Sequence, residues 1–316
     1  MANSAIKKII ITTGDADGIG TEVTAKALKK IGAQKKFHFI LIRSAQIPKA
    51  HLKVLDSCFT RKSFSDLASA LAYTPTKPRE ISDVILPGEA QSWVYAAAEA
   101  CKKGQAQALA TGPMSKKIHQ GKPQGHTEIL KEVSGVDSVF MTFLGSEFNV
   151  LTLTGHIPLA SVSQNLISSK VLAAATLLTQ FKSDLPKLAK KPLALVGLNP
   201  HSGEGGLIGN EEISVLNPVL KSLNEKGLKI EGPLVPDSAF LKTNWKKYSF
   251  FICPYHDQAL IPFKMIHGQD MGVHMTLGLP FVRTSVDHGT AKDIFNKNKA
   301  NPGSMIDAIK WAMQLA

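Results

Sequence analysis

His156 in LTLTGHIP, His201 in LALVGLNPHSGEGG and His256 in FFICPYHDQ each follow an apolar, strand-like run and stand beside turn-forming residues. A strand delivers the residue after it to one edge of a sheet, so three such ends can converge and offer a cation three neutral imidazole nitrogens. The competing reading is that each histidine only caps a strand or hydrogen-bonds a loop. Three in the same local setting make a metal-assisted enzyme the leading expectation. Imidazoles lean toward zinc or cobalt rather than magnesium or manganese, which prefer oxygen ligands.

Other segments offer anion chemistry. ATGPMSKKIHQGKPQGHTEIL (110–130) ends a strand in Thr-Gly-Pro and then places His126, Thr127 and Glu128 at a helix start, where free backbone N–H groups beside an imidazole and a hydroxyl can bind phosphate or carboxylate. Thr127 acting as an ordinary N-cap is the plainer alternative, and one helix end can serve both purposes. NPHSGEGGLIGNEE (199–212) surrounds His201 with glycines that permit close backbone approach, but no Gly-Lys-Ser/Thr follows as in a P-loop. GDADGIG (14–20) lacks the GxGxxG spacing of a dinucleotide loop and reads as a tight turn into the first helix. In the stretch 263–305, Lys264, Arg283, Asp287 and His288 are expected on loops flanking the short strands GVHMTLG and LPFVRTS. There Arg283 can grip a phosphate in bidentate fashion and Lys264 can act as an acid, a base or a second anion contact.

The elements that must position these residues alternate. KKIIITT, FHFILIR, ISDVIL and QALAT read as strands, and the stretches 20–31, 46–59, 89–104 and 126–135 read as helices. That rhythm predicts βαβ crossovers and a mostly parallel sheet with helices on both faces. SVFMTFLG and FNVLTLTG are joined only by Ser146-Glu147, too close for a crossover helix, and predict an antiparallel hairpin. We therefore expect a second domain at 136–278, inserted into a first domain of 1–135 plus 279–316, with the active site at the carboxyl ends of strands.

At 316 residues, 44% hydrophobic and 20% charged, the chain has the composition of an ordinary globular α/β protein, with no disordered tract. No apolar run reaches the roughly 18 to 20 residues that span a bilayer, so a cytoplasmic protein is expected. Cys58, Cys101 and Cys253 are odd in number and lack a CxxC pattern, which argues against disulfides and thiolate metal sites. The net charge of +12 comes from 37 scattered Lys and Arg without interleaved aromatics, a pattern that would draw in an anionic small substrate rather than nucleic acid.

These segments, taken together, resemble the 4-hydroxythreonine-4-phosphate dehydrogenase family of pyridoxal phosphate biosynthesis. The motifs GDADGIGTE, TGP, GHTE, GLNPHSGEGG, GPLVPDSAF, YHDQ and TLGLPFVRTSVDHGTA occur in the family's order and cover nearly the whole chain. The resemblance implies an α/β homodimer of the isocitrate and isopropylmalate dehydrogenase type, with two α/β/α domains, a central cleft and an active site partly built by the partner subunit. It implies metal ligands at His156, His201 and His256, and substrate contacts at His126, Thr127, Lys264 and Arg283. It also implies an NAD-binding loop through His288, Gly289, Thr290, Ala291 and Asn301. Lys264 is the expected proton-transfer or orienting group, Asp257 supports a metal ligand, and Asp287 is an alternative. His274 stands where the family typically has Asn and is an expected substrate contact, while Asp15, Asp17 and Thr21 occupy positions where small residues or Pro are common. The expected reaction is NAD- and metal-dependent oxidation of a phosphorylated hydroxy acid followed by decarboxylation. A paralogous dehydrogenase of threonate or erythronate phosphate is the nearest alternative. A phosphate-ligand binding or acyltransferase-like protein with a structural metal is the alternative from another class.

Overall fold

The computed structural model describes residues 6–119, 122–268 and 271–316, with the side chains of 117–119 and 122–124 set aside. Gln120, Gly121, Gln269 and Asp270, inside two of the segments singled out above, lie outside the described residues. The chain divides into two units, Met1–Asp137 with Gln269–Ala316, and Ser138–Gly268. The strand Val273–Leu277 therefore belongs to the first unit, where it pairs antiparallel with Val282–Ser285.

In the first unit the strand order is Val273–Leu277, Val282–Ser285, Ala108–Thr111, Lys7–Thr12, Phe37–Arg43, Glu80–Ile85 and Thr60–Phe64. Every pairing after the first is parallel. Central strands such as IIIT and FILI are apolar without alternation because both faces are covered. The helix Ala90–Lys102 buries Trp93, Val94 and Ala97 against Ile10, Ile40, Val84 and Leu109. The edge strand Thr60–Phe64 and the helix Leu67–Ala72 were not foreseen: TRKSF has no period-two apolar pattern. Arg61 in that strand is held by Asp56 and by Asp83, whose carboxylate also takes two bonds from buried Arg43.

In the second unit the order is Ile230–Leu234, Leu193–Val196, Phe251–Cys253, Val150–Thr152 and Phe140–Leu144. The last two form the hairpin that the two-residue joint implied; the other pairs are parallel. Phe148 lies at the centre of an aromatic core with Phe240, Trp245, Phe251 and Phe263.

Two helical readings need correction. Lys264 is not on a loop but on the helix His256–His267, which packs Ala259, Leu260, Phe263 and His267 inward and stops at Gly268. The sequence NEEISVLNPVLKSLNEKG (210–227) reads as one helix, but it folds as a π-helical segment, Glu212–Leu216, running into the α-helix Asn217–Glu225. Pro218 has no N–H to close an α turn, so the preceding ladder widens. No helix among the described residues is long and apolar enough to cross a membrane.

Candidate active site

In the first unit, Arg283 enters from the strand Val282–Ser285, between Ala108–Thr111 and Val273–Leu277, and is 1% exposed. Its Nη2 donates to Thr111 Oγ1 at 2.6 Å and its Nη1 to Thr276 Oγ1 at 2.9 Å, with His274 Nδ1 more distant at 3.5 Å. Its Nε meets no hydrogen-bond partner among the described residues. Among the described residues no carboxylate pairs with this guanidinium, and burial pushes its pKa down to about 9. A buried cation surrounded by hydroxyls and imidazole is unfavourable by itself and becomes favourable when an anion supplies the missing charge.

His126 opens the helix His126–Ser134 and feels the same cation. Burial first, and Arg283 second, hold its pKa well below the ordinary histidine value, so the ring is neutral, and its Nε2 has no partner among the described residues. Thr127 is not the N-cap: Gly125 occupies that position, and the Glu128 carboxylate accepts from Gly125 N at 2.9 Å. Thr127 is thereby left half-buried in the first helical turn, with its hydroxyl not needed for capping.

In the second unit, the three histidines follow the ends of three neighbouring parallel strands, Leu193–Val196, Phe251–Cys253 and Val150–Thr152. The loops after the last two are tied together, since Leu153 N donates to Cys253 O and Thr154 donates to Pro254 O through both N and Oγ1. The His156 and His256 rings consequently lie with centroids 5.0 Å apart. His256 Nδ1 is 2.7 Å from Asp257 Oδ1, and Gln258 Nε2 donates to Gly197 O at the end of the adjoining strand. His201 is exposed, and its Nδ1 lies 2.5 Å from Glu204 Oε1, a bond that raises the ring's pKa. Among the described residues, no group of three His, Cys, Asp or Glu side chains is gathered closely enough to hold a metal. Cys253 is fully buried, and burial pushes its thiol far above the physiological range.

The first glycine loop spends its Asp15, Gly18 and Ile19 amides on backbone carbonyls. Asp15 N donates to Pro113 O, Ile19 N to Thr290 O, and Asp15 Oδ2 accepts from Ser115 N. A Cβ at Gly14 would stand 1.9 Å from Pro113 O, so the glycine serves backbone packing. The loop also meets the segment after Ser285: Lys292 Nζ lies 2.7 Å from Asp17 Oδ2. In that segment Ala291 is left-handed with φ 41°, Asn301 Oδ1 accepts from Gly303 N, and a Cβ at Gly289 would meet open space.

Residues 27–312 match the family model described as pyridoxal phosphate biosynthetic protein PdxA. The chain belongs to the PdxA family. A PdxA-family relative from Sulfurihydrogenibium sp. (strain YO3AOP1), a 4-hydroxythreonine-4-phosphate dehydrogenase, is 35% identical over 98% of each chain. One from Pectobacterium atrosepticum, 32% identical over 98% of this chain and 99% of its own, is a D-threonate 4-phosphate dehydrogenase. The solved structure of the 4-hydroxythreonine-4-phosphate dehydrogenase from Klebsiella pneumoniae matches with a TM-score of 0.80 at 28% identity over 99% of both chains. Isocitrate dehydrogenase from Methylococcus capsulatus, 13% identical with a TM-score of 0.54 over 98% of this chain and 85% of its own, shares the fold. This PdxA-family chain is thus an enzyme of a dehydrogenase family on an isocitrate dehydrogenase-like α/β fold.

The residues expected from sequence fall in two sets in this PdxA-family chain. Arg283, His126 and His274 come together in the first unit; His156 and His256 come together in the second, with His201 on the neighbouring strand's loop. Lys264 lies on the helix that His256 begins. Two of the three donors have the spacing a divalent ion needs: the His156 and His256 ring centres, 5.0 Å apart, match the about 5 Å of two imidazoles bound at about 2.0–2.1 Å in tetrahedral geometry, while His201 is not gathered with them in the single chain. Carboxylates at Nδ1 of both His201 and His256 favour the tautomer that leaves Nε2 bare for a ligand bond. Sequence reasoning missed Thr111 and Thr276 as partners of Arg283, and Glu204 beside His201. TGP, TLGLP and HSGE contain these partners, but only the fold shows which side chains meet.

Proposed function

We propose that this chain oxidises and decarboxylates 4-hydroxythreonine 4-phosphate to 3-amino-2-oxopropyl phosphate, with NAD as hydride acceptor and a divalent ion, in pyridoxal phosphate synthesis. The buried Arg283, with no carboxylate paired to it among the described residues, carries the reading, because it prepares a place for an anionic group. Thr111 and Thr276 aim the guanidinium, and neutral His126 with the start of its helix adds donors without adding charge. Phosphate binding there supplies binding energy away from the reacting carbon. A divalent ion on His156, His201 and His256 would supply Lewis acidity at the substrate hydroxyl and at the ketone that follows. Asp257 orients the His256 ring, and Lys264 moves a proton or orients substrate, with Asp287 the alternative. His288, Gly289, Thr290, Ala291 and Asn301 line the loop assigned to NAD, where Gly289 leaves room for a close ligand.

The second reading is a threonate 4-phosphate dehydrogenase. It is favoured by His274 beside Arg283, where the family typically has Asn, and by the relative of that activity. Steady-state NADH formation with each substrate, with and without chelator, separates the two. Turnover of neither compound would sink both readings, and chelator-insensitive turnover would remove the metal. Elemental analysis of His201→Ala beside the parent tests that ligand, with equal metal content excluding it.

A homodimer completes the proposal. Leu159, Leu207, Ile261 and Met265 in the second unit are 57% or more exposed in the single chain, as is Leu241. Ile261 and Met265 share one helix face at i, i+4. Exposed apolar side chains of this kind, two of them on one helix face, support contact with a second copy.

A further inference from the structure

From His201 to Gly205 five consecutive residues are left-handed, with φ values of 50°, 52°, 78°, 42° and 68°. Three of them, His201, Ser202 and Glu204, carry a Cβ that crowds the backbone in this conformation. Such a turn persists only where its surroundings over-determine it. The surroundings are dominated by one carboxylate. Glu212 is 2% exposed and begins the π-helical segment. Its Oε1 accepts from Leu198 N at 2.8 Å and Asn199 N at 2.9 Å, and its Oε2 accepts from Asn199 Nδ2 at 2.8 Å. A Cβ at Gly203, the middle of the turn, would lie 2.9 Å from the same Oε2. Ser202 N in turn donates to Asn199 O, so the residues bound by Glu212 are those from which the turn departs.

We infer that Glu212 is a positioning residue whose buried carboxylate holds the left-handed turn that presents His201 before any ligand arrives. The inference rests on the reading of His201 as a metal ligand. The carboxylate is specific to the task because all three donors facing it are N–H groups. An amide in its place would turn its own NH2 against one of them and lose a bond. π-helical insertions recur at functional sites, and this one widens the helix start where Glu212 enters.

The test uses the full-length chain and its Glu212→Gln variant. Hydrogen exchange of the Leu198 and Asn199 amides, followed on metal-free protein, should accelerate at least tenfold in the variant. Equilibrium titration with Co2+ should show a dissociation constant raised about 10- to 100-fold, the range for groups that orient ligands. Binding of inorganic phosphate should be unchanged, which shows that the first unit is intact. Adding Ser202→Gly to Glu212→Gln should recover part of the Co2+ affinity, because glycine adopts positive φ without the steric cost. Glu212→Asp, one methylene short, is the second variant and should move both readouts in the same direction. Unchanged exchange, faster exchange with parental Co2+ affinity, or no recovery with Ser202→Gly would each overturn the inference. If the parent chain takes up no Co2+, the assignment of His201 as a ligand fails, and the exchange rates alone decide whether Glu212 holds the turn.

Discussion

Arg283 is a guanidinium folded into a place that suits it poorly until something negative arrives. Desolvation of a charge that no carboxylate pairs among the described residues costs several kcal/mol, softened here by the hydroxyls of Thr111 and Thr276. Arg283→Met should therefore leave the ligand-free melting temperature equal to or above the parent's, as when a strained functional group is removed. Excess inorganic phosphate should raise the parent's melting temperature and leave the variant's unmoved, a linkage effect read by calorimetry. A variant that melts far lower would show that the arginine is structural. Arg283→Lys should raise KM about 10- to 100-fold, since charged hydrogen bonds contribute about 1.5–3 kcal/mol each and lysine has no fork. The pH dependence follows in sign. Burial lowers the Arg283 pKa to about 9, so the free enzyme loses this charge as pH rises through that value and its anion affinity falls. KM for the phosphorylated substrate should climb above pH about 9; a flat profile through pH 10 would show that the guanidinium keeps its charge there. His126, held neutral, adds no step to this profile in the neutral range.

The first loop shows how an element can look like one device and be another. Its glycines suggested a nucleotide loop only superficially, and the fold uses them for backbone contact with the TGP segment and for entry into the helix Gly20–Ile31. A Cβ at Gly20 would stand 1.7 Å from Thr13 O, an atom that cannot rotate away. Gly20→Ala should destabilise the protein by about 3 kcal/mol, the upper end for overpacking. Urea unfolding measures this, and a loss below about 1 kcal/mol would mean that the loop shifts freely. Strands and helices of the parallel core were legible because uninterrupted apolar runs alternate with 3.6-period segments. Edges were not. Thr60–Phe64 is mostly polar and Ile230–Leu234 is interrupted by Gly232 and Pro233, and both receive their pairing from a neighbour, a property their own residues do not encode. The helix bearing Lys264 was hidden by Pro262 and by the resemblance of YHDQ to a loop.

For the whole molecule, the exposed apolar residues of the second unit set the expectation of self-association. The double variant Ile261→Glu, Met265→Glu should shift the mass from dimer to monomer by light scattering, with the fold kept because both side chains already face outward. An unchanged mass would place any subunit contact elsewhere. By itself, the sequence determined the α/β class, the hairpin at 140–152, the family and the short roster of ionisable residues. These depend on local period and on motifs whose residues are neighbours in the chain. Only the tertiary structure decided that Arg283 has the hydroxyls of Thr111 and Thr276 beside it, and that His156 and His256 meet while His201 rides a left-handed turn next to the buried Glu212 carboxylate. Those are contacts between residues far apart in the chain, fixed by strand order and burial, and no local pattern of residues can carry them.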